Sequence, residues 1–167
     1  MPLFMHVDNP DIEGPYQVDG LDDKVFKIDS YSHGLYQPTS EGGAHSRTIS
    51  SANVSELIVT KKVDSSTALL MQALCKNTHF DGITIYDCVQ VSDADEVTPA
   101  VKITMTGTAI TSLTYSGADG AEATQVLGIK FDTIEWEITT VDRVSGQLGA
   151  AQMYKWEATK SGAAVSS

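Results

Sequence analysis

Cys75, His79 and Asp81 supply the side-chain types of a thiol hydrolase: a nucleophile, a base and an orienting carboxylate. Their spacing argues against that chemistry. Cys75 falls near the end of a predicted helix and the other two on the turn that follows, so nothing obliges the three to converge. No glycine-rich elbow presents the thiol, and no donor motif waits for an oxyanion. Cys75 and Cys88 are read instead as reduced, buried core residues, since two cysteines make no disulfide framework. His79 is read as a polar loop residue. The sequence predicts no catalytic residue.

Metal and cofactor chemistry fares no better. His6, His33, His45 and His79 are scattered, with no pair at ligand spacing beside a carboxylate or thiolate. Gly20-Leu21-Asp22-Asp23 and Ser92-Asp93-Ala94-Asp95-Glu96 are acidic turns, and neither matches a calcium loop with its closing glutamate. Gly14, Gly20, Gly34, Gly42, Gly43 and Gly82 never form a phosphate-cradling loop that opens a helix. Trp136 and Trp156 sit among alternating neighbours and read as a barrel wall or a subunit contact before a ligand pocket. The expectation is no cofactor and no metal.

The elements that must position these residues are nearly all strands. Period-two alternation runs from Val101 to Tyr115, with Val101, Ile103, Met105, Ala109, Leu113 and Tyr115 on one face and Gly107 marking a bend. From Val126 to Val141 the apolar set Leu127, Ile129 and Phe131 switches parity to Ile134, Trp136 and Ile138. That switch predicts a bulge near Asp132-Thr133, or a strand that changes the sheet it serves. The loop Ser116–Ala121 joins these two segments as a hairpin. Further strands are expected at Leu3–Val7, Tyr16–Val18, Val25–Tyr36, Leu57–Val63, Ile83–Val91 and around Met153-Tyr154-Lys155-Trp156.

One helix interrupts them. Asp64-Ser65-Ser66 offers capping oxygens, and Leu69, Leu70, Ala73 and Leu74 make an apolar stripe running toward Lys76. The segment Gln37–Ser51 is rich in glycine and serine and separates two confident strands. A structureless connection of roughly 15 residues is uncommon in a compact domain, and another subunit would order it most readily.

Composition sets the outer bounds. The chain of 167 residues suits one domain, assigned to residues 1–160, with 161–167 a small polar tail that frays. No apolar run approaches the ~20 residues of a membrane helix, and the first residues lack the basic start of a secretory signal. A net charge of −11 argues against nucleic acid and anionic membranes as partners, because phosphate binding needs clustered Lys and Arg. The same charge makes self-association costly unless the contacting faces are locally neutral.

Together these segments resemble the haemolysin-coregulated protein (Hcp) family, the inner-tube subunit of the bacterial type VI secretion system. The matching residues are Ile28-Asp29-Ser30-Tyr31-Ser32-His33-Gly34, then Gln37-Pro38-Thr39 leading into the Gly/Ser segment. Val59-Thr60-Lys61-Lys62-Val63-Asp64-Ser65-Ser66 enters the helix and His79-Phe80-Asp81 leaves it. The late strand Val126 to Trp136-Glu137-Ile138 and the terminal Trp156 complete the likeness, which spans nearly the whole chain. Thr67-Ala68 stands where relatives commonly have Pro early in the helix, Ile138 where many carry an aromatic, and Asn77-Thr78 near a common Gly. Asn can serve as a left-handed helix cap, so that last change is mild.

The resemblance implies a β-barrel of two antiparallel sheets with one short α-helix, assembling as a hexameric ring. Rings stack into a tube that a contractile sheath drives outward with a spike at its tip, carrying effector proteins. The family is not catalytic, and the chain has no room for an added effector domain after Trp156. It implies bacterial cytoplasm first, then release without a signal peptide. Under it, Gln37, Pro38, Thr39, Gly42, Gly43, His45 and Arg47 are subunit and ring-stacking contacts. Two other readings stay open. A tail-tube protein of a phage or phage-like contractile particle shares the ring logic, and neighbouring genes would separate it. A monomeric β-barrel binding protein with its pocket near Trp136 and Trp156 would show a monomer's mass.

Overall fold

In a computed structural model, residues 2–21, 24–37, 52–90, 96–142 and 144–158 are described. The barrel begins with β1 (Leu3–Asp8), whose Met5 and Val7 point inward, flanked by β3 (Lys24–Ile28) and by the long β8 (His79–Gln90). A two-residue strand, β2 (Tyr16–Gln17), pairs the outer side of β3. β9 (Val97–Ser116) follows β8, and β10 (Thr124–Lys130) folds back on its second half as the hairpin expected across Ser116–Ala121. β10 then pairs with β7 (Leu57–Lys62), and β7 pairs with β4 (Ser30–Ser32). All these pairings are antiparallel.

The expected strand Val25–Tyr36 is in fact three pieces: β3, β4 and β5 (Leu35–Tyr36), the last paired with β6 (Asn53–Val54). The break at Asp29 closes the barrel. Residues before it pair with β1, residues after it pair with β7, and the Asp29 amide itself donates to the Thr60 carbonyl at 2.7 Å. One bent strand thus serves both ends of the sheet, and closure removes the open edges that would otherwise invite pairing.

β9 changes partner along its length. Its first half pairs with β11 (Thr133–Val141) and its second half with β10. Gly107 sits at the changeover with φ +59°, and a Cβ there would collide with the Asp132 side chain. A left-handed residue at this close approach favours glycine. The inward face is therefore not the single alternating set expected from Val101 to Tyr115. Ile103 and Met105 are buried before Gly107, Thr108 and Ile110 after it, while Tyr115 is exposed. β8 switches at the same level, from Phe80 to Ile83.

The segment Val126–Val141 divides at Phe131-Asp132 into two strands, so the second of the two sequence expectations holds: the chain passes from one pairing to another. Leu127, Ile129, Phe131 and Ile134 are buried, as the parity switch implied, whereas Ile138 is exposed.

The helix α1 (Thr67–Cys75) buries Thr67, Leu70 and Ala73 against the barrel, with Leu74 partly covered. Leu69 is exposed, contrary to the expected stripe, because it lies one step of about 100° round the helix from Leu70. Cys75, five positions on and about 140° round from Leu70, is exposed as well, which corrects its assignment to the core; Cys88 is buried as expected. The N-terminal cap also differs. Ser66 makes no side-chain cap bond, and Asp64 instead accepts the Ser66 amide at 2.9 Å ahead of the first turn. At the other end Asn77 takes φ +54°, and the amides of Asn77 and Thr78 return to Leu74 and Ala73. That is the left-handed asparagine cap the sequence suggested. The following strand starts at His79 rather than Ile83, so all but Thr78 of the turn expected over Thr78–Gly82 belongs to β8.

Candidate subunit interface

β11 continues into β12 (Leu148–Glu157), and this hairpin projects from the barrel, joined to the rest of the sheet by strand pairing with β9. Its barrel-side face carries Ile134, Trp136 and Ile138 opposite Trp156, Tyr154 and Gln152. Near the barrel this face is sealed. Ile134 is fully buried, and Trp156 packs edge-on to Phe131, with ring centroids 6.4 Å apart. Further out the cover thins. The Trp136 indole N–H donates to Nε2 of His33 at 3.1 Å, and its ring lies near-parallel to those of both His33 and Tyr154. Tyr154 and, further out, Ile138 are more than half exposed. Aromatic rings with one covered and one open side are characteristic of subunit contacts.

Burial lowers the His33 pKa below its ordinary value. A neutral ring is also what the bond requires, because Nε2 must accept from Trp136 and so the proton sits on Nδ1. Nearby, Tyr31 donates to Asp87 at 3.3 Å; burial first, and then the Asp87 carboxylate, raise the Tyr31 pKa.

A second polar arrangement anchors the entry to α1. Lys61 has a fully buried side chain whose ammonium donates to Asp64 at 2.8 Å and to the Lys62 carbonyl at 2.9 Å, and lies 5.4 Å from the centre of the Phe26 ring. Burial alone would raise the Asp64 carboxyl, but donation from Lys61 and Ser66 outweighs it and holds the group below the ordinary carboxylate value. This pair locks the strand-to-helix turn of the Lys61–Ser66 motif. It reads as structure.

The hydrolase constellation does not form. Cys75 ends the helix on the surface, His79 is exposed at the start of β8, and Asp81 accepts the Asn9 amide instead of orienting an imidazole. Among the described residues no three His, Cys, Asp or Glu side chains gather as metal ligands. A shallow cleft of about 300 Å³ lies between Gly20-Leu21 and the outer face of the hairpin, floored by Tyr86, Lys102 and Glu137. Of the proposed ring contacts, Gln37 is exposed just after β5. Pro38, Thr39, Gly42, Gly43, His45 and Arg47 lie outside the described residues, as do most of the two acidic turns. Sequence reasoning marked Trp136 as barrel wall or subunit contact but missed its partners, His33 and Tyr154. The shared parity of Trp136, Ile138 and Tyr154 was the available signal for one of them.

The fold and its half-covered hairpin define an antiparallel barrel protein with a surface suited to assembly. Residues 4–138 match the family described as "Type VI secretion system effector, Hcp", and the chain belongs to that family. Its fold is shared by many solved structures, three of which follow. A structure described as that of a type six secretion system protein has a TM-score of 0.83 at 20% identity, spanning 96% of this chain and 97% of its own. Hcp1 from E. coli EAEC 042, in a mutant form, gives 0.73 at 14% identity, with 95% and 99% spanned. Hcp1 from Salmonella typhimurium gives 0.71 at 15% identity, with 97% and 99% spanned. No curated protein matches the sequence.

Proposed function

We propose that this chain is a non-catalytic tube subunit of a bacterial type VI secretion system, closing into six-membered rings that stack end to end. The family match over residues 4–138 carries this reading, and the projecting hairpin supports it. A closed barrel needs no neighbour for its own core, yet this one holds out an apolar, half-covered strand pair. Residues 1–160 act as one folding unit in the ring. Gln37, Pro38, Thr39, Gly42, Gly43, His45 and Arg47 serve contacts between subunits or stacked rings. Effector proteins occupy the bore, a sheath drives the tube outward behind a spike, and the subunit leaves the cell with the tube.

Electron microscopy of the purified protein tests this reading. Annular particles with an open centre are the expected result. Compact particles without a hole at every concentration, in a protein whose far-ultraviolet spectrum shows an intact β fold, would overturn it.

A further inference from the structure

We propose that His33 is a proton-operated latch: neutral, it holds the β5–β6 arm against the β11–β12 hairpin, and once protonated it lets the arm go. β5 and β6 form a small sheet of their own, outside the ten-stranded one. Leu35 pairs with Val54 and Tyr36 with Asn53, and both Leu35 and Tyr36 are more than half exposed. An isolated pair of short strands is marginal in water, so the arm depends on what ties its base to the barrel. At that base the Gly34 amide donates to the Ser55 hydroxyl at 2.7 Å and the Ser55 amide to the Gly34 carbonyl at 2.8 Å, which joins the two strands to each other. His33, one residue earlier, reaches across to Trp136 of β11.

The tie works in one protonation state. Nε2 accepts the indole N–H, so a second proton on the ring sets donor against donor and removes the bond. The cation is then left partly buried, and its buried Nδ1 has no hydrogen-bond partner among the described residues. Turning out to water, and taking the arm with it, relieves both costs. Neighbouring charges do not offset them. On the same face stand Tyr31 and Asp87, bonded to each other at 3.3 Å, and Tyr154 of β12. Glu135 and Glu137 of β11 alternate onto the opposite face, across from Lys155 and Lys102. Asp29 is exposed, and the Glu56 carboxylate lies beside Gly128. Burial lowers the His33 pKa, with no part played by these charges.

The effect on assembly rests on the tube reading. Gln37, the first of the proposed ring contacts, directly follows β5, so releasing the arm in acid withdraws that contact and opens the ring. Net charge alone predicts the opposite. Protonating histidines makes a chain of charge −11 less negative, so copies repel less as the pH falls.

The test follows native hydrogen exchange of the dilute full-length protein, corrected for the intrinsic pH dependence of exchange. Protection of amides 34–36 and 53–55 is expected to fall by up to about tenfold over the first pH unit below 6.5. His33→Gln keeps the acceptor but takes no proton, so its protection stays level. Trp136→Phe keeps a ring but loses the donor, so its arm exchanges fast at every pH. In sedimentation at fixed concentration, the ring fraction of the wild type falls between about pH 7.5 and about pH 5.5, and that of His33→Gln does not. Level arm protection in the wild type, as would follow if the protonated ring stayed stacked on Trp136, would overturn the latch whatever the rings do. Arm release without loss of rings would overturn its control of assembly. A wild type that never assembles at any pH would overturn the tube reading and leave the latch to stand on the exchange result.

Discussion

Trp136 and His33, 103 residues apart in sequence, meet through an indole N–H donated to imidazole Nε2 at 3.1 Å. The bond ties the projecting hairpin to the strand segment that closes the barrel. Its acceptor is titratable, and burial lowers the His33 pKa below the ordinary 6.5. The unfolded chain therefore takes up this proton at higher pH than the folded one, so stability rises with pH across that window. The contribution is complete above pH 6.5 and is lost as pH falls from there through the folded value. In a Trp156→Phe background, Trp136 emission is expected to titrate with a midpoint below 6.5. His33→Gln keeps an acceptor but gains no proton, so its titration should be flat. A midpoint at or above 6.5, or persistence in the glutamine variant, contradicts the assignment.

Lys61 and Asp64 are unequal partners. The lysine side chain is 0% exposed and the aspartate 23%. Removing the carboxylate leaves a buried cation without its counter-charge, whereas removing the cation leaves a carboxylate that still reaches water and the Ser66 donors. Asp64→Ala is expected to cost about 3–5 kcal/mol, and Lys61→Met clearly less, because its apolar stem replaces the lysine's packing. Urea unfolding of the two variants checks the order. A larger loss for Lys61→Met would mean that the cation over Phe26 matters more than the pair.

How much of this was legible depends on whether a signal was local. The pairing of β9 with β10, the bend at Gly107 and the asparagine cap at Asn77 were readable because turn chemistry and glycine act within a few residues. The parity switch near Asp132 was visible too, with a change of sheet as one of its two readings, but which strands it would pair with was not, since pairing is set by strands far away in sequence. Leu69 and Cys75 were misplaced because a short helix gives few turns from which to fix the buried direction. His33 could not be tied to Trp136 at all. No pattern in either strand encodes a bond between them, and only the closed barrel brings them together.

Cys88 and Cys75 provide a chemical check on the two faces of the fold. Burial, with a smaller contribution from the Asp87 carboxylate, pushes the Cys88 thiol up to about 11, so near neutral pH it carries almost no thiolate and no access path. Cys75 stands exposed at the end of α1. A thiol-specific reagent at pH 8 is expected to modify Cys75 readily and Cys88 only after denaturation. Rapid native modification of both would show that the edge of the barrel beside β1 opens far more often than its packing implies.

Salt should strengthen assembly. The net charge of −11 opposes every lateral contact, while the projecting hairpin offers no opposite charge that screening could weaken between residues 148 and 154. At ~0.01 M ionic strength the Debye length is about 30 Å, so whole subunits feel one another's charge; at ~0.15 M it shrinks to about 8 Å and only facing groups interact. The repulsive part of the association energy therefore falls with added salt, while the apolar part contributed by Ile138, Met153 and Tyr154 persists. Sedimentation velocity at fixed protein concentration is expected to show the ring fraction rising across that range. Rings that dissociate as salt increases would mean that ion pairs between copies, rather than neutral apolar contacts, hold the subunits together.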